Sequence, residues 1–405
     1  MTTPSFPAEP PRPHVTVVGG AGAMGRYAVR ALSQLGSARR IVVADLDVDR
    51  ARRVAEQAGS SATAVQVDAT DLVQLAKLFA DSDVVLNTMG PFAKFGETIL
   101  RAALTAGCDY LDIDDDWEST LDAYELDGLA RENGCRAVIG LGASPGTSNM
   151  LAAVAAGRLD SVEELLTGWS LLAAVMDEEP TFPRTGNAAA AAEHWLLQCT
   201  GTIRAWVEGR PSDITPLERV DFEYPGVGAA HAYTMGHPEP VTLPRTFHGV
   251  RRSLNLQSGP PELFASVRAT AEEFESGRLS LAEAARRVGL RPDGDGTQAP
   301  MSDPLPSTWA LARGLRAGVP LSVSAHLTDE LPGRMGGHTG IPLAVGVELL
   351  RRGLVAQPGV HAPEAVIDPH QYFDLLRRFA ARPVAAEEFL IVREQASTET
   401  DAHRA

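Results

Sequence analysis

The stretch His14-Val-Thr-Val-Val-Gly-Gly-Ala-Gly-Ala-Met-Gly-Arg26 has the pattern of an apolar strand, a glycine-rich turn and the first turn of a helix. The three spaced glycines of such a turn allow a tight bend, a close approach of the backbone to a pyrophosphate, and close packing of helix on strand. The N–H groups at the start of the helix add donors that bind phosphate. The residues that this spacing assigns to the phosphate site are Gly20, Gly22, Ala23, Met24 and Gly25.

An acidic residue, Asp45, stands 20 residues beyond Gly25 and directly after a second apolar run, Ile41-Val-Val-Ala44. At this distance a carboxylate accepts a hydrogen bond from a ribose 2′-hydroxyl and repels a 2′-phosphate. The pattern therefore predicts a dinucleotide site instead of an ordinary glycine turn. Asp45 indicates that this site favours NAD(H). Arg50 and Arg52 leave NADP(H) open, because an arginine can bind the 2′-phosphate.

The composition restricts the class of protein further. The chain has 405 residues, of which 44% are apolar and 22% charged, enough for a large core and two or three domains. A formal net charge of −16 argues against a nucleic acid partner, which needs clustered Lys and Arg.

Residues 1–13 contain five prolines and no apolar run, so we expect a disordered leader, no membrane segment and a cytoplasmic protein. Cys108, Cys135 and Cys199 lack metal-ligand spacing, which predicts buried thiols, no disulfide and no metal site.

From residue 14 to about residue 145, short β-branched runs alternate with helical patterns. This alternation is typical of a parallel sheet covered by helices on both faces. Six strands are predicted, at residues 14–18, 41–44, 64–67, 84–87, 110–113 and 136–140. They make a doubly wound α/β domain of the Rossmann type, in which ligands bind at the carboxyl ends of the strands.

The loops after these strands supply further candidate residues. Asp68 follows the third strand and could accept from the adenine amino group or, alternatively, cap a helix. Asn87 and the Gly90-Pro91 turn follow the fourth strand, where we expect the nicotinamide and its ribose. Lys94, in the same loop, is either a proton carrier or a solvated surface side chain.

Several longer segments carry a resemblance. Asp83-Val-Val-Leu-Asn-Thr-Met-Gly-Pro-Phe92, Ala106-Gly-Cys-Asp-Tyr-Leu-Asp-Ile113 and Ser144-Pro-Gly-Thr-Ser-Asn149 resemble the nucleotide-binding half of the saccharopine dehydrogenase family. Pro238-Glu-Pro-Val-Thr-Leu-Pro-Arg245 and His338-Thr-Gly-Ile-Pro-Leu-Ala344 are similar to its second domain and closing helix. The resemblance implies hydride transfer at a carbon–nitrogen bond by a homodimer. It implies a Rossmann domain at 14–149, a second α/β domain for substrate and dimerisation at 150–337, and a C-terminal segment at 338–394 that returns to the first domain. Residues 395–405 are predicted to be a disordered tail.

One departure from the family concerns Ser144, which stands where saccharopine reductases have an acid. A separate acidic group follows the fifth strand, comprising Asp112, Asp114, Asp115, Asp116 and Glu118. Such a group could hold a cationic amine, and crowding of like charges would raise one carboxyl pKa into a range useful for proton transfer. The alternative is a solvated acidic turn that caps the next helix.

In the second domain, strands and turns are predicted to alternate from Gly201 to Arg245. His237, between prolines and glycine, lies on a stiff loop that suits a proton donor, or it only hydrogen-bonds that loop. Arg184 and Arg245 are candidate clamps for a substrate carboxylate. The full set of catalytic candidates is His237, Asp112, Asp114, Lys94 and Tyr233. The substrate-binding candidates are Ser144, Pro145, Gly146, Asn149, Arg184 and Arg245.

Three functions fit the sequence. The first is an NAD(P)-dependent oxidoreductase that interconverts an amine and an imine on an amino-acid-like substrate. The second is a reductase of a C=O or C=C bond, and the third is a sensor that binds nucleotide without catalysis. A sensor needs only the glycine turn and Asp45, whereas an enzyme also needs polar groups from the second domain, which His237, Tyr233 and Arg245 provide.

Overall fold

The computed structural model describes residues 11–173, 187–289 and 303–396. Its strands are β1 (His14–Val18), β2 (Arg40–Asp45), β3 (Ala62–Gln66), β4 (Val84–Asn87), β5 (Asp109–Asp112), β6 (Arg136–Val138), β7 (Ser161–Ser170), β8 (Ile203–Val207), β9 (Arg210–Ile214), β10 (Arg219–Tyr224), β11 (Gly228–Thr234), β12 (Arg252–Ser258), β13 (Thr308–Arg316), β14 (Val319–Leu327), β15 (Gly359–His361) and β16 (Leu390–Ala396).

The helices are α1 (Gly25–Leu35), α2 (Val48–Ala58), α3 (Leu72–Phe79), α4 (Phe92–Thr105), α5 (Trp117–Tyr124), α6 (Asp127–Glu132), α7 (Thr147–Ala156), α8 (Asn187–Gln198), α9 (Glu239–Thr246), α10 (Pro261–Glu275), α11 (Leu281–Gly289), α12 (Arg334–Arg351), α13 (Pro363–Val366), α14 (Pro369–Leu376) and α15 (Ala386–Phe389).

The first sheet is parallel throughout and has the strand order β15-β6-β5-β4-β1-β2-β3. The order reverses between β1 and β4, so the loops after these two strands diverge and leave a crevice for a ligand. Six of the strands are the predicted ones, and β15 adds a seventh from the C-terminal segment. The α/β class, with a Rossmann sheet, a second domain and a returning C-terminal segment, is therefore confirmed.

Local sequence signals explain the boundaries of the helices on this sheet. The carboxylate of Asp71 accepts from the N–H groups of Val73 and Gln74, as expected of a residue that caps a helix. Asp47 caps α2 in the same way by accepting from Arg50 N. Helix α1 ends at Gly36, which adopts φ 61°, a left-handed conformation that favours glycine.

The second sheet is mixed and follows the order β10-β11-β12-β7-β13-β14-β16, while β8 pairs with β12 and with β9. Its central pair, β7 and β12, is parallel, and the neighbouring pairs are antiparallel. One face carries an apolar cluster that includes Leu166, Leu254 and Trp309. The other face packs, through α7 on β13, against the first domain, and one core cluster spans both domains. The site described below lies where this second face meets the carboxyl edge of the first sheet.

Helix α12 begins at Arg334 and contains Gly336, Gly337 and Gly340. These glycines allow close packing on the start of α1. A Cβ atom on Gly340 would lie 2.2 Å from the backbone oxygen of Met24, and one on Gly336 would lie 2.8 Å from that of Ala23. The predicted domain boundary at residue 338 therefore falls inside a helix.

Two other expectations differ from the structure. Residues 239–246 form helix α9 instead of strands and turns, because proline is tolerated in the first turn of a helix, where an N–H has no helical partner. Strand β16 pairs with β14 as far as Ala396, two residues into the expected tail. Arg184, most of the 1–13 leader and the rest of the tail lie outside the described residues.

The three cysteines are free and buried, and burial raises the pKa of Cys108 to about 12. In the ranges that the structure describes, no helix combines the length and apolar composition needed to cross a bilayer. Nor does this part of the chain place three or more His, Cys, Asp or Glu side chains where they could hold a metal ion together.

Candidate active site

The glycine turn after β1 has the shape required to hold a pyrophosphate. Gly19, at φ 71°, takes the sharp bend that the sequence assigned to Gly20, while Gly20 packs against Val43. A Cβ atom on Gly25 would lie 2.4 Å from the oxygen of Gly19, so the helix can approach the turn only with glycine here. On Gly22 the atom would meet only the oxygen of Gly19, at 3.0 Å. The chain's own packing therefore leaves room beside Gly22, which fits the phosphate site of a dinucleotide.

Asp45 and Arg50 both hydrogen-bond to the backbone of Ala21 in this turn. The carboxylate of Asp45 accepts from Ala21 N at 3.1 Å, and the guanidinium of Arg50 donates to Ala21 O at 3.2 Å. A ligand group that approaches Ala21 therefore meets both a carboxylate and a cation. The first suits the 2′-hydroxyl of NAD(H) and the second suits the 2′-phosphate of NADP(H).

Apolar side chains stand exposed at the carboxyl edge of β2 and β3, where the adenine of a dinucleotide would lie. Leu46, Leu72 and Val73 are 66%, 59% and 64% exposed. Beside them the carboxylate of Asp68 accepts from the backbone N–H and the hydroxyl of Thr70, at 2.9 and 2.7 Å. These bonds fix the direction of the Asp68 side chain and hold its pKa below the usual range.

The loop after β4 is fastened to the glycine turn. The hydroxyl of Thr88, which the sequence did not single out, donates to the backbone oxygens of Val18 and Gly19 at 2.9 and 3.0 Å. Asn87 is completely buried, donating to the hydroxyl of Tyr110 and accepting from Met89 N, both at 3.0 Å. Asn87 thus fixes the shape of the loop through buried hydrogen bonds.

The same loop continues through Gly90 and Pro91 into α4 and carries Lys94. Gly90 and Pro91 are exposed at the edge of the crevice, and the peptide bond between them is cis. The ammonium of Lys94 lies 4.9 Å from the ring centre of Phe95 on the exposed first turn of α4. This placement matches the solvated alternative for Lys94.

The acid group after β5 is bound into the fold rather than solvated. One oxygen of Asp112 accepts from Gly140 N at 2.7 Å and from Asp114 N at 3.1 Å, and Asp114 accepts from Asp116 N at 3.0 Å. Burial, together with neighbouring charges, raises the pKa of Asp112 to about 6 and that of Asp114 well above its usual value. Helix α5 follows at Trp117, and Asp116 does not cap it through its side chain. The group is therefore more than a helix cap, and Asp112 and Asp114 have higher pKa values than exposed aspartates.

His194, on α8 of the second domain, lies against this acid group. Its Nε2 is 3.1 Å from a carboxylate oxygen of Asp115, and its Nδ1 is 3.9 Å from one of Asp116. Burial opposes a charge on His194, yet the two carboxylates outweigh it and raise the histidine pKa to about 9. Burial likewise opposes a charge on Asp115, yet His194 holds the pKa of that carboxyl below its usual range. His194 was not predicted as a site residue, because its partner acids lie far away in sequence.

A second polar group joins the loop after β6 to the start of α9. The hydroxyl of Ser144 donates to Glu239 at 2.5 Å, and Ser148 donates to the same oxygen at 2.7 Å. The other oxygen of Glu239 lies 3.6 Å from Nδ1 of His237, and both side chains are buried. Burial would raise the pKa of Glu239, but His237 and the two serines hold it below its usual range. Glu239 was not predicted as a site residue. It could have been found from its position two residues after the candidate histidine, His237.

The polar face of the second sheet completes the site. Asn255 on β12 donates to Ser144 at 3.2 Å and to Thr167 on β7 at 3.1 Å. Two residues farther along, Gln257 is paired in register with Trp169, whose ring centre lies 6.1 Å from that of His237. Neither Gln257 nor Trp169 was predicted as a site residue, since alternation along a strand does not tell which face meets a ligand.

The remaining candidates lie elsewhere. Pro145 and Gly146 form the buried turn before α7, and Asn149 is fully occupied there, accepting from Gly146 N and donating to Thr242 and Glu364. The ring of Tyr233 stacks on Phe264 with centres 4.0 Å apart, inside an apolar cluster. Arg245 is exposed, with its guanidinium over the ring of Tyr124 at 4.1 Å. The structure thus brings together Ser144, His237 and the acid group, but not Lys94 or Arg245.

The comparisons with known proteins agree with this geometry. A model of the saccharopine dehydrogenase NADP-binding domain matches residues 15–138. Over these residues the chain is similar to the nucleotide-binding domain of the saccharopine dehydrogenase family, as the sequence predicted. The matched domain is described as NADP-binding, so the predicted nicotinamide dinucleotide cofactor is confirmed, without a choice between NAD and NADP.

Relatives and solved structures extend the comparison. Trans-acting enoyl reductases of Mycobacterium tuberculosis and Mycobacterium bovis are 28% identical over 134 residues, which make up 32% of this chain and 32% of theirs. The match therefore spans about a third of these curated relatives. A putative trans-acting enoyl reductase of M. tuberculosis is 28% identical over 159 residues, 37% of this chain and 38% of the relative. The apo saccharopine dehydrogenase (L-Glu forming) of Saccharomyces cerevisiae shares the fold, with a TM-score of 0.63 over 95% of this chain and 100% of that chain, at 14% identity.

Proposed function

We propose that the protein reduces a carbon–carbon double bond conjugated to a carbonyl group, with NAD(P)H as the reductant and His237 as the proton donor. The observation that carries the proposal is the pairing of His237 with Glu239 beside the cofactor crevice. A buried carboxylate that faces Nδ1 orients the imidazole, and it leaves Nε2 as the nitrogen that can give a proton to a substrate.

The charge of the site supports an uncharged substrate. Among the described residues, no arginine or lysine is hydrogen-bonded or ion-paired to Ser144, His237 or Glu239. A substrate with a carboxylate needs such a cation, usually an arginine. The trans-acting enoyl reductases that share the nucleotide domain point to the same kind of bond by their name.

NAD(P)H, held at the glycine turn, would supply the hydride, and with it two electrons, for the carbon β to the carbonyl. His237 would give its proton to the α-carbon, so that one hydride and one proton are added across the double bond. Glu239 keeps the imidazole in place for this transfer. Ser144 and Ser148 hold Glu239 by one oxygen and leave the other for His237.

A second candidate is the interconversion of an amine and an imine on an amino-acid-like substrate. The buried acid group favours it, because Asp112 and Asp114 could hold a cationic nitrogen and exchange a proton with it. In that case His237 would serve only to position the loop. The resemblance carries the further proposal of a homodimer, which light scattering tests. The composition of residues 1–13 carries that of a cytoplasmic location, which cell fractionation tests.

Oxidation of NADPH and NADH by the purified protein, offered a panel of substrates, tests the proposal. The panel contains uncharged enoyl thioesters and enones, ketones, imines formed in place, and amines with the oxidised cofactor. We expect turnover of the conjugated carbonyl compounds. Turnover of imines or amines alone would establish the second candidate. Gly22→Val is the control, since its side chain would occupy the phosphate site and abolish cofactor binding in a folded protein.

A further inference from the structure

We propose that Trp169 and Gln257 form a binding site for the carbonyl oxygen of an uncharged substrate. The inference rests on the proposed function, which needs such an oxygen next to the reacting carbons. Each residue has a buried N–H group, Nε1 of Trp169 and Nε2 of Gln257, that has no hydrogen-bond partner in the described part of the chain. The two side chains stand on neighbouring strands and are paired in register, so they point to the same side of the sheet.

The orientation of the Gln257 amide follows from its neighbour. Its Oε1 accepts from Nε1 of Trp195 at 3.1 Å. An indole nitrogen donates and never accepts, so Oε1 has to face Trp195 and the amide nitrogen has to point the other way. For the same reason Nε1 of Trp169 can only be a donor. Two donors on strands about 5 Å apart can share one acceptor, as the donors of an oxyanion site do.

The position of the pair relative to His237 fits the reaction. Trp169 lies beside the imidazole, with ring centres 6.1 Å apart, and Asn255, two residues before Gln257 on the same face, reaches Ser144 at 3.2 Å. An oxygen held by the pair therefore lies near the proton donor. Negative charge that develops on this oxygen during hydride addition would strengthen both hydrogen bonds, which is how such donors accelerate a reaction.

The same sheet offers a contrast in Trp309. Its Nε1 is also buried without a partner, but Trp309 is completely buried on the opposite face, packed against Phe222 and Tyr224 with ring centres 5.3 and 5.6 Å away. An unpartnered indole alone therefore does not make a site. The pair at Trp169 differs because it has a second donor in register and a titratable neighbour on the same face.

The surroundings of the pair define the class of ligand. The carboxylate of Glu239 lies close to His237, so a ligand carboxylate would be repelled. Trp195, Tyr233 and Phe264 belong to, or pack against, one apolar cluster that also contacts Trp169. The ligand is therefore an uncharged enoyl thioester or ketone with an apolar chain.

Kinetics with two matched probes test the inference, namely the N-acetylcysteamine thioester of trans-2-hexenoate and the free trans-2-hexenoate anion. We expect kcat/KM for the thioester to exceed that for the anion at least 10-fold. Trp169→Phe and Gln257→Met should each lower kcat/KM for the thioester roughly 10- to 100-fold and leave the KM for NADPH unchanged. Trp309→Phe, the matched control, should change kcat/KM less than twofold. A wild-type rate in both site variants, or equal use of the anion, would overturn the inference while leaving the proposed function intact.

If the wild-type protein does not reduce the thioester, the proposed function fails and the site is tested by binding alone. Calorimetric titration of the saturated hexanoyl thioester into protein loaded with NADP⁺ then decides. Binding that is lost in both site variants and retained in Trp309→Phe would support the carbonyl site. Absence of binding to the wild-type protein, or equal binding to all four proteins, would overturn it.

Discussion

Asp112 and Glu239 are both buried carboxyl groups at the candidate site, and they differ in what faces them. Asp112, at the end of β5, has Asp114 and Asp115 as neighbours, and burial raises its pKa to about 6. Glu239, at the start of α9, is buried to the same degree, but His237 and two serine hydroxyls hold its pKa below the usual range. Burial acts in the same direction on both, so the partners decide which carboxyl keeps its charge.

The difference separates two tasks within the site. Asp112 has a raised pKa and can share a proton with its neighbour Asp114. Glu239 has a lowered pKa and faces His237 as a carboxylate. The first domain therefore contributes groups that store a proton, and the second domain contributes the charged pair that we propose to deliver one.

The largest expected effect tests which side delivers the proton. His237→Asn should lower kcat by about 10²- to 10⁴-fold, the usual contribution of general acid catalysis, and leave cofactor affinity nearly unchanged. Asp112→Asn and Asp114→Asn should retain most of the rate. Steady-state kinetics of the three variants provide the measurement. If the aspartate variants lose the rate and His237→Asn does not, the tasks of the two regions are reversed, and near wild-type rates in all three would remove both assignments.

A smaller loss, about 10- to 100-fold in kcat, is expected for Glu239→Gln, which keeps an oxygen for the two serines but removes the negative charge. The double variant His237→Asn/Glu239→Gln distinguishes this from a purely structural defect. If Glu239 acts through His237, replacing Glu239 should cause no further loss of kcat once His237 has been replaced. Ser148→Ala is the control, because it removes one hydrogen bond and leaves the charge. An additional loss of kcat in the double variant would show that Glu239 does not act through His237.

The two regions also differ in how far the sequence predicts them. The bounds of β1 and β4 agree with prediction to the residue, because apolar runs between glycine turns leave few alternatives for a parallel sheet. The acid group was predicted for the same reason, since it directly follows a strand whose end lies at the ligand edge. Such signals are local, and they require no knowledge of the rest of the chain.

The second-domain part of the site depends on contacts that no local pattern reveals. Glu239 was placed among turns because two prolines flank it, yet those prolines fit the first turn of α9. His194 belongs to the site only because α8 packs on the acid group, a contact that no local pattern predicts. Arg245 has the right chemistry for a carboxylate clamp, but it lies against Tyr124, because a guanidinium also stacks well on an aromatic ring.

The pH dependence of stability should sharpen the contrast for Asp112. Its pKa is 3.8 in an unfolded chain and about 6 in the fold, so between these values the folded protein keeps a proton that the unfolded chain loses. Stability therefore falls as the pH rises through this window. Asp112→Asn carries no such proton, and its oxygen can still accept from Gly140 and Asp114. Relative to wild type, the variant should gain on the order of 2–3 kcal/mol between pH 4 and pH 8. Urea unfolding at both pH values measures this, and an equal difference at both would show that Asp112 is not held protonated.

The smallest expected effect concerns His194, which brings a charge from the second domain to the acid group of the first. Its pKa rises from 6.5 in an unfolded chain to about 9 in the fold, so its contribution to stability is complete below pH 6.5 and is lost as the pH rises through 9. His194→Gln should therefore destabilise the protein by roughly 1–2 kcal/mol at pH 6, a partly exposed pair being weakened by solvent, and by almost nothing near pH 10. His370→Gln, on the exposed side of α14, is the matched control and should have no effect at either pH.

A loss that is equal at pH 6 and pH 10 would mean that His194 stabilises α8 by packing alone. The acids of the first domain would then lack the counter-charge that Glu239 has in His237, and the contrast between the two regions would be larger than the structure indicates.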